Sequence, residues 1–333
     1  MNTVSTAPTV TIEMIRAAYE NNRPHVRRTP LLRAEALEEL FGGAEIYLKP
    51  ENLQYTGSFK VRGVTNKMLS LSREELARGV AAASSGNHAQ AVAYMASRLG
   101  AKSVIVMPEN APAAKVDGAK KYGADIILYG LTGEEREQKC LELVRERNYS
   151  LVHPYADALL IAGHGTLALE AAEQIREAAN GDFDEIVIPC GAGSIVSGIG
   201  VAVKNATPGT VVTAVEPAAV PRFTVSLAQN RPLTVKMGDT IADGLRVGTA
   251  EPINFALVRD NVDNLLTIGE APIRRAMREI IMRAKIVAEP SACVGLAAAL
   301  DGRIDMGAGR KICFVISGGN MDAYTLADIL SEK

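Results

Sequence analysis

With 333 residues, 47% of them hydrophobic, the chain can bury a core large enough for two packed units. Its 36 basic and 38 acidic side chains are scattered and nearly balanced, which excludes a basic face for nucleic acid and a polybasic membrane anchor and favours a small-molecule partner. Cys140, Cys190, Cys293 and Cys313 stand far apart with no CxxC pair, a pattern of buried reduced thiols rather than of zinc or redox chemistry.

In chain order, the first ten residues carry no pattern. The first 22 lack a basic start followed by an apolar block, so no secretory signal is expected and the protein is expected to be cytoplasmic. Short β-rich runs then recur: EIYLK at 45–49, SVIVM at 103–107, DIILY at 125–129, EIVIP at 185–189, VVTAV at 211–215 and KICFVIS at 311–317. Between them, 86–99, 134–147, 159–178, 271–284 and 291–301 space their apolar residues as helices do. Alternation of this kind predicts an α/β protein with mostly parallel sheets and helices on both faces. The uncharged stretch 186–203 approaches membrane-span length, but Pro189 and glycines at 191, 193, 198 and 200 break it into a strand, a turn and a small-residue helix. Only the first ten residues and 217–245 are loosely patterned.

Three Gly/Ser-rich turns precede predicted helices: SSGNHAQ at 84–90, CGAGS at 190–194 and SGGNMD at 317–322. Free backbone N–H groups and the helix dipole favour anions at such places. Any one of these turns can exist merely to let a helix pack closely on a strand. Together they suggest a ligand with several anionic or polar groups, a phosphate rather than a dinucleotide, since GxGxxG is not matched. Lys60 lies early in a predicted helix within YTGSFKVRG at 55–63. A lysine on a helix is ordinarily a solvated charge, but one desolvated beside Phe59 has a lowered pKa and becomes an amine nucleophile.

With Gly57-Ser58-Phe59-Lys60, Ser84-Ser85-Gly86-Asn87-His88, the turn at 191–194 and Ser317-Gly318-Gly319-Asn320 in this order, the chain resembles the fold-type II pyridoxal-phosphate enzymes, specifically the serine/threonine dehydratase and serine racemase branch. The resemblance spans roughly 25–325 and extends to LKPENLQ at 48–54, IAGHGTLALE at 161–170, TIADGL at 240–245 and AEPSACVGLAA at 288–298. It implies a two-lobed, tryptophan-synthase-beta-like architecture, with 1–72 and 156–333 forming a large cofactor-binding domain and 73–155 a small substrate-carboxylate-binding domain. It implies pyridoxal 5'-phosphate as cofactor, an amino-acid substrate and a homodimer.

Carried over residue by residue, the resemblance makes Lys60 the Schiff-base lysine that also moves the proton at Cα, with Phe59 beside the cofactor ring. Asn87 would bond the ring hydroxyl and Ser317 the pyridine nitrogen. Gly191, Ala192, Gly193 and Ser194 would cradle the phosphate, and Gly244 and Glu289 would stand near the cofactor. Ser84, Ser85, Asn87 and His88 would hold the substrate carboxylate at a helix N-terminus, Arg136 would face the substrate, and Ser85 would be a second acid on the face opposite Lys60. Arg136 in the run GEEREQK has an equally simple reading as a solvated charge, and His153 and His164 read as structural. The phosphate turn is often four glycines; here it is Gly-Ala-Gly-Ser, which requires Ala192 to keep a negative φ. Metal-dependent relatives carry a second carboxylate six residues after the one at 216. This chain has Arg222 there, so no Mg²⁺ or Ca²⁺ site is expected. The implied reaction is dehydration of L-threonine or L-serine to a 2-oxo acid and ammonia. Serine racemisation, or dehydration of hydroxyaspartate or phenylserine, is the alternative, with β-replacement and a non-catalytic cofactor-binding role further behind.

Overall fold

The computed structural model describes residues 9–179 and 181–332; residues 1–8, most of the unpatterned N-terminal stretch, lie outside them. Among the described residues ten strands form two sheets. The first sheet contains β1 (Leu32–Arg33), β2 (Glu45–Pro50), β7 (Glu185–Pro189), β8 (Val211–Pro217), β9 (Asn264–Ile268) and β10 (Lys311–Ile316), in the order β1-β2-β10-β7-β8-β9. Only the β1–β2 pair is antiparallel. The second sheet, β5-β4-β3-β6, is all parallel and contains β3 (Val80–Ala83), β4 (Ser103–Met107), β5 (Asp125–Leu128) and β6 (Ser150–Leu151). The α/β expectation therefore holds, and all six predicted strands form.

The additional strands carried weak signals. β3 is Val-Ala-Ala-Ala, built largely from a residue with little β preference, and it forms because its fully parallel neighbours bury it on both faces. The predicted helix at 271–284 begins at Glu270 but its last turn, Ile280–Ala284, widens to π geometry before Lys285 adopts φ 59°. The stretch 186–203 resolves as read, into β7, the Gly-rich turn and the helix Ser194–Ala206. All four cysteines are buried and unpaired by disulfides. Among the described residues no helix is long and apolar enough to cross a membrane.

One packing feature positions the site. The helix Ala158–Ala178 crosses both the helix Lys60–Leu69 and the helix Ser194–Ala206 at glycines. A Cβ on Gly163 would lie 2.6 Å from the Arg62 carbonyl oxygen, and one on Gly165 would lie 2.7 Å from that of Gly198. Backbone therefore meets backbone at both crossings. The helix that begins at Lys60 and the helix that follows CGAGS are held rigidly to the same support.

Candidate active site

Lys60 opens its helix after the turn Gly57-Ser58, whose left-handed Gly57 (φ 71°) donates to the Gln54 carbonyl and accepts from Gly319 N–H. The Lys60 Nζ donates to the Pro154 carbonyl at 2.9 Å and stands 5.1 Å from the centre of the Phe59 ring. Among the described residues no carboxylate partners it. Burial accordingly lowers its pKa from 10.5 to about 8. Two residues on, Arg62 clamps the helix in place: its guanidinium is fork-bonded to Glu51 at 2.7 and 2.8 Å and to Glu170 at 2.8 and 3.1 Å. Desolvation alone would favour a neutral Arg62, but the two carboxylates outweigh it and raise its pKa. Lys49 and Gln174 complete this buried network through Glu170 and the Thr29 carbonyl. Sequence reasoning passed over Arg62, Glu51 and Glu170. No local signal marks them, because each gains its role from partners far along the chain.

The turn at 191–194 leads directly into the helix Ser194–Ala206, with Gly193 as its left-handed N-cap (φ 91°). A Cβ on Gly193 would lie 2.6 Å from Phe223 Cζ, so both backbone angle and space require glycine. Ala192 is absent from the positive-φ residues, so alanine is accommodated there as expected. The backbone N–H groups of 191–193 make no hydrogen bond among the described residues, which leaves them available at a helix N-terminus. Behind the turn, a Cβ on Gly191 would meet the Gly244 carbonyl at 3.3 Å, and Gly244 N–H donates to Ser291 Oγ at 2.9 Å.

Arg222 locks the same region from beneath. Fully buried, it donates to the carbonyls of Cys190 (3.2 Å), Leu245 (3.1 and 3.3 Å) and Val247 (2.7 Å), and its Nη2 lies 4.0 Å from Glu216 Oε2. Glu216 accepts from Phe223 N–H, Thr224 N–H and Thr224 Oγ1. The guanidinium thus fills a nest of oxygens at the root of the turn.

On the side of the four-stranded sheet, Asn87 begins the helix Asn87–Leu99. Its amide donates to both oxygens of Glu289 (3.0 and 3.3 Å) and accepts from Asn320, which also donates to the Thr56 carbonyl at 2.7 Å. Burial raises the Glu289 pKa from 4.5 to about 8, so this carboxyl group holds a proton at neutral pH. The unfolded chain would ionise it from about 4.5 upward, so its contribution to stability declines as pH rises from 4.5 through 8. Glu289→Gln is expected to flatten the stability profile across that window, read by denaturant unfolding at a series of pH values. The Ser317 carbonyl accepts from Phe59 N–H at 2.9 Å, which ties β10 to the Lys60 turn, and its hydroxyl makes no hydrogen bond among the described residues.

Ser84, Ser85 and Asn87 are half-buried along one wall. Ser84 Oγ accepts from Gly86 N–H at 3.3 Å, while the Ser85 hydroxyl is unbonded among the described residues. The His88 side chain is 2% exposed and its Nε2 pairs with the Val152 carbonyl at 2.9 Å. Desolvation, then the Lys60 charge, pushes its pKa down to about 3, so only its backbone N–H can serve an anion at this helix start. Arg136 is half-buried but folds back to the Leu131 carbonyl at 3.3 Å, and no described contact brings it to Lys60. His153 is structural, as read. Its Nδ1 accepts from Tyr155 and Ala156 N–H, shaping the turn that aims the Pro154 carbonyl at Lys60. His164 packs its ring edgewise on Phe59 at 4.7 Å in full burial, again structural.

A family profile described as pyridoxal-phosphate dependent enzyme matches residues 23–318. The chain belongs to this pyridoxal-phosphate dependent family. It is 39% identical to an L-threonine ammonia-lyase of Thermotoga maritima over 97% of this chain and 79% of that one. It is 38% identical to an L-threo-3-hydroxyaspartate ammonia-lyase of Saccharomyces cerevisiae over 93% of both chains. Among solved structures, maize serine racemase superposes with a TM-score of 0.90 at 34% identity, covering 96% of this chain and 97% of that one.

The residues present fit the cofactor that defines the pyridoxal-phosphate dependent family. Unsatisfied N–H groups at 191–193 suit a phosphate, and a glycine with no room for a Cβ keeps that cradle open. A lysine amine without a carboxylate partner suits an aldehyde, and a hydroxyl at Ser317 in place of a carboxylate suits an unprotonated ring nitrogen.

Proposed function

We propose that this protein is a pyridoxal-phosphate dependent ammonia-lyase that converts a 3-hydroxy amino acid, L-threonine or L-serine, to the 2-oxo acid and ammonia. The observation that carries the reading is the Lys60 amine, donating to the Pro154 carbonyl beside the Phe59 ring and lowered to about 8 by burial. The identity to ammonia-lyases that act on threonine and hydroxyaspartate supports the substrate class.

In this reading Lys60 Nζ takes the proton from substrate Cα, a step its lowered pKa equips it for. The bound cofactor supplies an electron-withdrawing ring that spreads the charge left at Cα. The helix start at Ser84–His88 holds the substrate carboxylate, Asn87 and Ser317 orient the ring, and the 191–194 turn with the Ser194 hydroxyl holds the phosphate. Ser194 also stands to assist departure of the β-hydroxyl as water. Phe59, backed by His164, walls off solvent on the Lys60 side.

Racemisation as a second activity has its own support in the unbonded Ser85 hydroxyl, a free acid on the wall formed by the Asn87 helix start. Ser85→Ala is expected to retain oxo-acid release and lose D-serine formation from L-serine, followed by chiral chromatography. Equal loss of both would instead make Ser85 a substrate-binding residue. The division into a large domain, 1–72 with 156–333, and a small one, 73–155, follows the two sheets. A homodimer in the cytoplasm completes the proposal. The deciding experiment is oxo-acid release from the cofactor-loaded protein offered L-threonine, L-serine and 3-hydroxyaspartate in turn. Release from none of them would overturn the reading.

A further inference from the structure

The wall that continues from the Pro154 carbonyl carries charge that the proposed reaction does not use. Lys60 Nζ donates to that carbonyl, and the next residue, Tyr155, is half-buried with its ring edgewise to His153 at 4.8 Å. Two carboxylates converge on this wall from different helices. Glu137, on the helix Gly133–Arg147, places its Oε1 3.7 Å from His153 Nε2. Glu251 occupies the N-cap position of the helix Pro252–Asn261, where its side chain makes no capping bond, and one turn on Asn254 donates to the Tyr155 carbonyl at 3.1 Å. Both carboxylates lie in electrostatic range of the Tyr155 hydroxyl, and they feel each other: burial first and the Glu137 charge second raise the Glu251 pKa.

Apart from Lys60, the cations beside this wall are otherwise engaged. His153 Nδ1 accepts from Tyr155 and Ala156 N–H, so its neutral ring carries the proton on Nε2, and burial lowers its pKa below 6.5 and keeps it neutral at pH 7. Arg222 is held by the Cys190, Leu245 and Val247 carbonyls and faces Glu216. Arg136, next to Glu137 in the chain, folds back to the Leu131 carbonyl. Asn254 adds an acceptor: its Oδ1 is fully buried with no partner among the described residues, and its Cβ lies 3.2 Å from where a Cβ on Gly193 would stand, beside the phosphate turn. A wall of two carboxylates and an unfilled acceptor suits a hydroxyl or other donor on the substrate and repels a further carboxylate. We propose that Glu137 and Glu251 form an acidic rim at the Lys60 cleft that sets substrate choice, admitting neutral side chains such as those of L-serine and L-threonine and rejecting the side-chain carboxylate of 3-hydroxyaspartate. This inference rests on the reading of the Lys60 cleft as the active site.

The test compares L-asparagine with L-aspartate, which match in shape, differ in side-chain charge and carry no β-hydroxyl to eliminate. Calorimetric titration of the pyridoxal-phosphate-loaded wild type is expected to show L-asparagine binding about tenfold or more tightly than L-aspartate. Glu251→Gln and Glu137→Gln, which keep side-chain size and remove one charge each, should each narrow that ratio by about three- to tenfold. The ratio of kcat/KM for L-serine to that for L-threo-3-hydroxyaspartate should narrow in the same variants by a similar factor. Equal binding of the two amino acids to wild type, or a ratio that neither substitution moves, would overturn the rim. Tighter binding of L-aspartate would also overturn it and return Arg136 to the substrate. Binding of neither would remove the cleft as an amino-acid site and the rim with it. Because binding is read without turnover, a protein that discriminates as expected but releases no oxo acid would count against the proposed reaction and not against the rim.

Discussion

Lys60→Ala is expected to lower oxo-acid release by about 10³-fold or more and to leave the fold intact. The loss is large because no other described amine or imidazole can take over. His88 is committed to the Val152 carbonyl and pushed down to about 3, and His164 is sealed in full burial behind Phe59, where desolvation holds its pKa well below the ordinary value. The fold survives because the helix is anchored by Arg62 and by the glycine crossing at Gly63 and Gly163, not by the Lys60 side chain. Removing Lys60 also removes a linkage. Its folded pKa of about 8 lies below the ordinary 10.5, so in that window the unfolded chain binds the extra proton and stability rises with pH. Lys60→Ala should abolish that rise, measured by unfolding between pH 8 and 10.5. A variant with wild-type turnover would end the proposed mechanism, and one that fails to fold would show that the lysine has a structural role missing from its contacts.

Much of the fold and of the site could be read before the structure, for identifiable reasons. Strands such as Glu185–Pro189 carry an unbroken β-branched run, Ile186-Val187-Ile188, and parallel burial on both faces writes that pattern into the chain. The 191–194 turn was legible because backbone geometry forces residue type: Gly193 admits neither a negative φ nor a side chain. What stayed hidden depends on long-range partners. Nothing local to Arg62 says that Glu51 and Glu170 converge on it, or that the Pro154 carbonyl reaches Lys60 across 94 positions. At His88 the motif leaves one choice open. A motif locates a residue beside the ligand, but the helix phase decides whether its side chain or only its backbone N–H faces the site, and at His88 the side chain turns into the core.

Arg222 carries the other large expected effect. A guanidinium bonded to the Cys190, Leu245 and Val247 carbonyls and set beside the buried Glu216 is a fixed internal cation, and its charge disfavours a divalent ion at Glu216. Chelator treatment is therefore expected to leave activity unchanged. Arg222→Ala should destabilise by about 3–5 kcal/mol, because it strands the Cys190, Leu245 and Val247 carbonyls and leaves the Glu216 carboxylate without its cation. The same change frees the segments that flank the phosphate turn, since Cys190 precedes Gly191 and Leu245 follows Gly244. Affinity for pyridoxal phosphate should fall with stability, both measured on one preparation by cofactor titration and thermal unfolding. Mg²⁺ or Ca²⁺ is expected to recover part of the loss in Arg222→Ala and none in wild type, because only the variant exposes an oxygen-lined hole beside a carboxylate. If chelator inactivates the wild-type enzyme and Mg²⁺ restores it, then the guanidinium does not replace a metal and the cation sits elsewhere.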